Sequence, residues 1–143
     1  MAGKSDTFEN DFLKLVFNAT AIANIADNAA ASPLTNLFVA LHSADPTDTG
    51  NQTTNEITYT GYARATVART SGGWTITGNS VSPTATISFG ACTAGTATAT
   101  FASVGVAVSG ATKILYAGAL SPSISISAGV TPQIGTTSTI TED

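Results

Sequence analysis

Few residues in this chain can do chemistry, and their spacing decides what each is good for. Its 143 residues include one histidine and one cysteine. His42 opens the run His42-Ser43-Ala44-Asp45-Pro46. That run holds the three residue types of a hydrolytic triad, but a triad needs them brought together in space in defined roles. Neighbours along one segment do not meet in that way, and no Gly-x-Ser-x-Gly elbow is present. His42 therefore reads as a strand-end histidine bonded to the backbone, and a small hydrolase built on it is the least favoured function. Cys92 has no Lys, Arg or His close in sequence to lower its pKa, so it reads as a small buried residue.

Metal and phosphate chemistry fare no better. One His and one Cys fifty residues apart make no zinc site, and no metal is expected. Asp45, Asp48, Asn51, Asn55 and Glu56 form an oxygen-rich loop without the ordered spacing of a calcium hand, and an ordinary solvated loop is the better reading. Paired-carboxylate catalysis is disfavoured because no acid lies between Ile57 and Ile140. No glycine-rich phosphate loop with a following Lys-Ser or Lys-Thr exists. No cofactor and no catalytic residue is expected. The notable cations are Arg64 and Arg69, whose planar forks suit a carboxylate or strand-end carbonyls, inside the fold or across an interface.

The bulk composition agrees with a protein that works by contact. Net charge is −4 with five cations scattered along the chain. Phosphate neutralisation needs clustered Lys and Arg, so nucleic-acid binding is not expected, nor is docking on anionic lipid. No apolar run reaches the ~18 residues of a membrane span, and no secretion signal opens the chain. From Thr70 to Thr141 the only charged residue is Lys113. That stretch is rich in Thr, Ser, Ala, Val and Ile, which favour strands.

The elements that must position these residues follow from periodicity. Asp6 is a candidate N-cap with Glu9 three residues on. Phe8, Phe12, Leu15, Val16, Ala19, Ile22 and Ala26 form one apolar line at helical spacing. Leu13, Phe17, Ala21 and Ile25 form a second. The pattern predicts a helix from Asp6 to about Asn28, closed by the run up to Pro33. Two apolar lines leave little polar face, so one can meet the domain and the other a neighbouring subunit.

After Pro33 short strands are expected at 34–41, 59–69, 74–77, 84–89, 97–108, 112–119, 123–127 and 137–141. Ser71-Gly72-Gly73 is expected to close a hairpin between the second and third. The expected fold is mainly β: an antiparallel β-sandwich or jelly-roll-like domain over 34–143, with one N-terminal α-helical segment over 1–33. An uncharged sheet lacks the usual protection of its edges and so calls for closure or a partner. The residues expected at interfaces are Phe8, Phe12, Leu13, Val16, Phe17, Ile25, Arg64 and Arg69.

Four pieces carry a resemblance: Leu37-Phe38-Val39-Ala40-Leu41-His42-Ser43-Ala44-Asp45-Pro46, then Gly61-Tyr62-Ala63-Arg64, then Lys113-Ile114-Leu115-Tyr116-Ala117-Gly118-Ala119-Leu120, then Ile126-Ser127-Ala128-Gly129-Val130-Thr131-Pro132. Their order and spacing resemble a family of small virion proteins of tailed bacteriophages. The resemblance implies a β-sandwich virion component without catalytic residues. A capsid decoration (cement) protein is the first expectation, a small symmetric oligomer such as a trimer that contacts the major capsid protein. The alternative is a tail-tip or tail-fibre-associated protein that contacts tail proteins and a host receptor, with Tyr59 or Tyr62 facing the ligand.

Overall fold

The computed structural model describes residues 6–22 and 33–142. The chain is mainly β with one N-terminal helix, as its composition implies, and every strand pairing with a defined register is antiparallel. It divides into two compact units. One comprises Met1–Asn36, Ala68–Thr86 and Gly135–Asp143; the other comprises Leu37–Val67 and Ile87–Ile134.

The first unit holds helix α1 (Asp6–Asn18) and the sheet β3-β4-β9, from Trp74–Thr77, Ser80–Pro83 and Ile140–Thr141. Leu13 and Phe17, four apart on one helix face, are fully buried, and Phe17 meets Trp74 edge-on at 4.8 Å between ring centroids. Strands β3 and β4 form a hairpin with Thr77 opposite Ser80, leaving Gly78-Asn79 as a two-residue turn. Gly78 has φ 60°, the positive value that the first position of a type II′ turn demands and glycine supplies freely.

Two expectations are corrected here. The helix stops at Asn18 and not near Asn28. Ala19 turns to φ 53°, and the carbonyls of Leu15 and Val16, which a longer helix would use, accept from the Arg69 guanidinium instead. The expected turns over 23–28 and the stop at 29–32 lie outside the described residues, as do Ile25 and the side chains of Asp6 and Phe8. The hairpin at Trp74 pairs forward with 80–83 and not back with 59–69. Ser71-Gly72-Gly73 is a turn, with Gly73 N–H and Trp74 N–H both donating to Thr70 O, but it does not join paired strands.

The second unit is built on β1 (Asn36–His42), β6 (Ala97–Gly105) and β7 (Ile114–Ile126), with β2 (Ala65–Ala68) at the other edge of the same sheet in the order β2-β1-β6-β7. A two-stranded pair, β5 (Ile87–Ser88) and β8 (Gln133–Ile134), accompanies it. β1 is buried along most of its length because its apolar run carries Leu37, Val39, Ala40 and Leu41 into the core. The expected strands 112–119 and 123–127 are one strand, β7. The turn signal at Ser121-Pro122 survives as an irregularity within it, since Ala119 opposes Phe101 while Ile124 opposes Ala99. Among the described residues no helix is long and apolar enough to cross a membrane.

Candidate functional site

The end of β1, the loop 43–56 and the segment 59–64 gather most of the chain's reactive polar side chains into one buried network in the second unit. Its centre is Arg64, which is 5% exposed. The fork made by its Nε and Nη2 donates to the two carboxylate oxygens of Glu56, both at 2.8 Å. Nη2 also donates to Gly110 O at 2.9 Å, and Nη1 to Ala107 O at 3.0 Å. Thr112 Oγ1 and Gln52 Oε1 lie at 3.3 Å from Nη1. All three nitrogens are engaged, which is what a guanidinium needs when it leaves water. The Glu56 bonds, ahead of the opposing effect of burial, hold Arg64 above its ordinary pKa.

Gln52 extends the network. It is fully buried, donates from Nε2 to Phe38 O at 2.9 Å and accepts from Thr112 Oγ1 at 2.9 Å. Its room depends on Gly105: a Cβ there would lie 2.1 Å from Gln52 Cδ. Tyr62 Oη donates to Glu56 Oε1 at 3.0 Å and accepts from Leu41 N–H at 3.1 Å. Burial raises the Tyr62 pKa, so the phenol keeps its proton. Its ring stacks on Phe89 at 6.3 Å and meets Tyr59 edge-on at 5.4 Å. Tyr59 Oη donates to Gly90 O at 2.7 Å. Gly61 has φ 105° and approaches Ala91 so closely that a Cβ would lie 2.2 Å from Ala91 O. The run Gly61-Tyr62-Ala63-Arg64 thus has a mechanical content: a close backbone crossing, a phenol tying Glu56 to β1, and a fork holding Glu56 and the 107–112 loop.

His42 sits beside this network and is fully buried. Thr54 O can only accept, so Nδ1–H donates to it at 2.8 Å. Nε2 is then left to accept from Ser103 Oγ at 2.8 Å. Burial lowers the His42 pKa, against the pull of the Thr54 bond, and the ring is neutral near pH 7. A Ser–His pair in this tautomer has the hydrogen-bond pattern of a nucleophile and its base. Ser103 is 2% exposed, however, so its hydroxyl meets strand neighbours and no solvent-facing cleft. The pair locks β1 to β6 and to the loop. Ser103 was not legible as a partner from sequence, because the link depends on the antiparallel register that sets Ala40 opposite Ser103.

The loop oxygens are occupied by turn formation. Asp45 Oδ1 accepts from Thr47 N–H at 2.8 Å, and Asn51 Oδ1 accepts from Thr53 N–H at 2.9 Å. Among the described residues no three His, Cys, Asp or Glu side chains come together to hold a metal ion. Cys92 is buried, with Sγ near Ala94 O and Gly95 O.

Of the residues expected at interfaces, Leu13 and Phe17 lie inside the first unit, and Phe12 and Val16 are half-buried on its helix. Arg69 caps that helix: Nε donates to Val16 O at 2.5 Å, Nη2 donates to Leu15 O, and Nη1 lies 3.3 Å from Leu34 O. Burial lowers the Arg69 pKa. Arg64 is the hub just described. Arg64 belongs to the second unit and Arg69 to the first.

The family described as Podophage GP4 fiber I protein gp80 matches residues 3–141, and the chain belongs to that family. It is a phage virion structural protein. No curated protein matches it.

Proposed function

We propose, with that membership as the premise, that the chain is a non-enzymatic component of the tail-fibre apparatus, which works by holding shape and making contacts with other tail proteins. The family's description as a fiber protein supports this reading over the capsid-decoration one. The observation in the fold that carries it is the use made of polar chemistry. Arg64, Glu56, Gln52, Tyr62, His42 and Ser103 spend their donors and acceptors on one another and on the backbone. A catalytic group must be able to reach substrate, and these side chains instead fix loops on a sheet.

The stretch from Thr70 to Thr141 carries one charged residue, Lys113, and is rich in hydroxyls. Such a stretch is suited to contacts made through shape and direct hydrogen bonds, with little long-range steering by charge. Tyr62, considered as a ligand-facing aromatic, has its hydroxyl bound internally, and Tyr59 is tied to Gly90. Localisation on purified particles tests the proposal. Gold-labelled antibody on the tail, with copy number at a handful per particle, is the expected result. Hundreds of copies spread over the head would refute it and restore the decoration reading.

A further inference from the structure

We propose that the free edge of β7 is a self-association surface, along which two copies of this chain join antiparallel over Ile114–Leu120 about a two-fold axis at Ala117, making one continuous sheet. This goes beyond the tail reading and stands on the second unit alone.

The edge comes first. β7 pairs with β6 on one side and, among the described residues, with no strand on the other. A bare strand edge presents unpaired N–H and C=O groups, and proteins that keep such an edge single blunt it with charge, proline or a bulge. The far half of β7 is blunted in that way, by Pro122, which has no N–H to offer, and by the register shift between Ala99 and Phe101 on β6. The near half is not. From Ile114 to Leu120 no residue is charged or proline, and Tyr116 to Ala119 keep regular register with Val104 to Phe101. Ala117, Gly118 and Ala119 are exposed.

The occupant follows from the order of sizes in Ile114-Leu115-Tyr116-Ala117-Gly118-Ala119-Leu120. Bulk lies before Ala117, and the two residues after it are small. With Ala117 facing its own copy, Tyr116 lies opposite Gly118 of the second copy, Leu115 opposite Ala119 and Ile114 opposite Leu120. The same pairs recur on the other side of the axis, as an isologous contact requires. An aromatic ring beside a cross-strand glycine is a favourable pairing. The place for it is open, since a Cβ at Gly118 would meet nothing within 4 Å. Moving the axis one residue either way loses the match, because it sets Tyr116 against Tyr116 or Ile114 against Pro122. Lys113 is compatible with the arrangement. It falls opposite Ser121, so the two lysines stand at opposite ends of the contact, ~26 Å apart at ~3.3 Å per residue and well beyond the ~8 Å screening length. A foreign strand without this order of sizes gains only main-chain bonds from the edge.

Sedimentation of the full chain tests the proposal. The wild type should dimerise in the micromolar range. Ala117→Lys and Ala117→Glu each set like charges against one another at the axis and should weaken association at least tenfold. Their urea midpoints at high dilution should match the wild type, because Ala117 is exposed. Mixed one to one, the two variants should recover the wild-type dimer, which an axis at residue 117 alone explains. Ala117→Cys, close to alanine in size, should form a disulfide-linked dimer on mild oxidation, Cys92 being buried. A wild-type chain that stays monomeric into the millimolar range, charged variants that dimerise as well as the wild type, a mixture that stays monomeric, or a cysteine variant that forms no cross-link overturns the proposal. The tail reading stands or falls separately, on particle localisation.

Discussion

Replacing Arg64 by lysine keeps the buried charge and changes only its geometry, so it isolates what the planar fork contributes. The guanidinium reaches both Glu56 oxygens at 2.8 Å and the Ala107 and Gly110 carbonyls at 3.0 and 2.9 Å. Those acceptors lie on both sides of the fork. A lysine ammonium has three donors at one point and can keep the Glu56 contact plus one carbonyl. At least two charge-assisted bonds are then lost, at ~1.5–3 kcal/mol each. Allowing for relaxation, Arg64→Lys should destabilise the second unit by about 3–4 kcal/mol, or ~12–30 °C in melting temperature for a unit of that size. Trp74 lies in the first unit and Tyr59 and Tyr62 in the second, so tyrosine near-ultraviolet dichroism and tryptophan fluorescence report the units separately. The expected result is an early transition in the tyrosine signal. A loss below about 1 kcal/mol by that signal would mean the guanidinium is surrounded by bonds that carry no weight, and the account of the network would fail.

Three further outcomes follow from other parts of the fold. His42 is neutral when buried and has its folded pKa lowered, so the unfolded chain binds a proton first as pH falls. Stability should be level above about pH 6.5 and decline below it by up to ~1.4 kcal/mol per pH unit; a urea midpoint identical at pH 7.5 and 5.5 would contradict this. Gly61→Ala puts a Cβ 2.2 Å from Ala91 O at φ 105° and should cost about 3 kcal/mol or more, whereas Gly118→Ala, with open space at its Cβ, should be close to neutral in the same denaturation assay. Arg69→Ala uncaps Leu15 O and Val16 O and should cost about 2 kcal/mol; unchanged hydrogen exchange of the α1 amides would refute the capping role.

Strand content was legible because β-branched alternation and Gly-rich turns act locally. β1 and β3 fall within about two residues of their expected places, at Asn36–His42 and Trp74–Thr77. What failed was the part decided by distant residues. The apolar lines on 6–26 support a helix past Asn18, but they carry no sign that Arg69, more than fifty positions away, takes its carbonyls. The stretch 59–69 alternates like a strand, yet only Ala65–Ala68 is one. Its first half bends at Gly61 so that Tyr62 and Arg64 reach Glu56. The sequence marked Arg64 as a fork in need of a carboxylate or carbonyls without deciding which. It could not supply Gln52, Thr112 or the 107–112 carbonyls, which only the fold brings near.

The pairing of β9 with β4, Ile140 opposite Val81 and Thr141 opposite Ser80, carries one more implication. Asn79 and Glu142 reinforce the closure with bonds in both directions. Roughly sixty residues separate the two strands, so this sheet is completed only after residues 140–141 have been made. A copy interrupted before residue 140 leaves the flank of β4 bare and is open to proteolysis. The covering of that flank is therefore decided by residues 140–141 and by nothing local to β4.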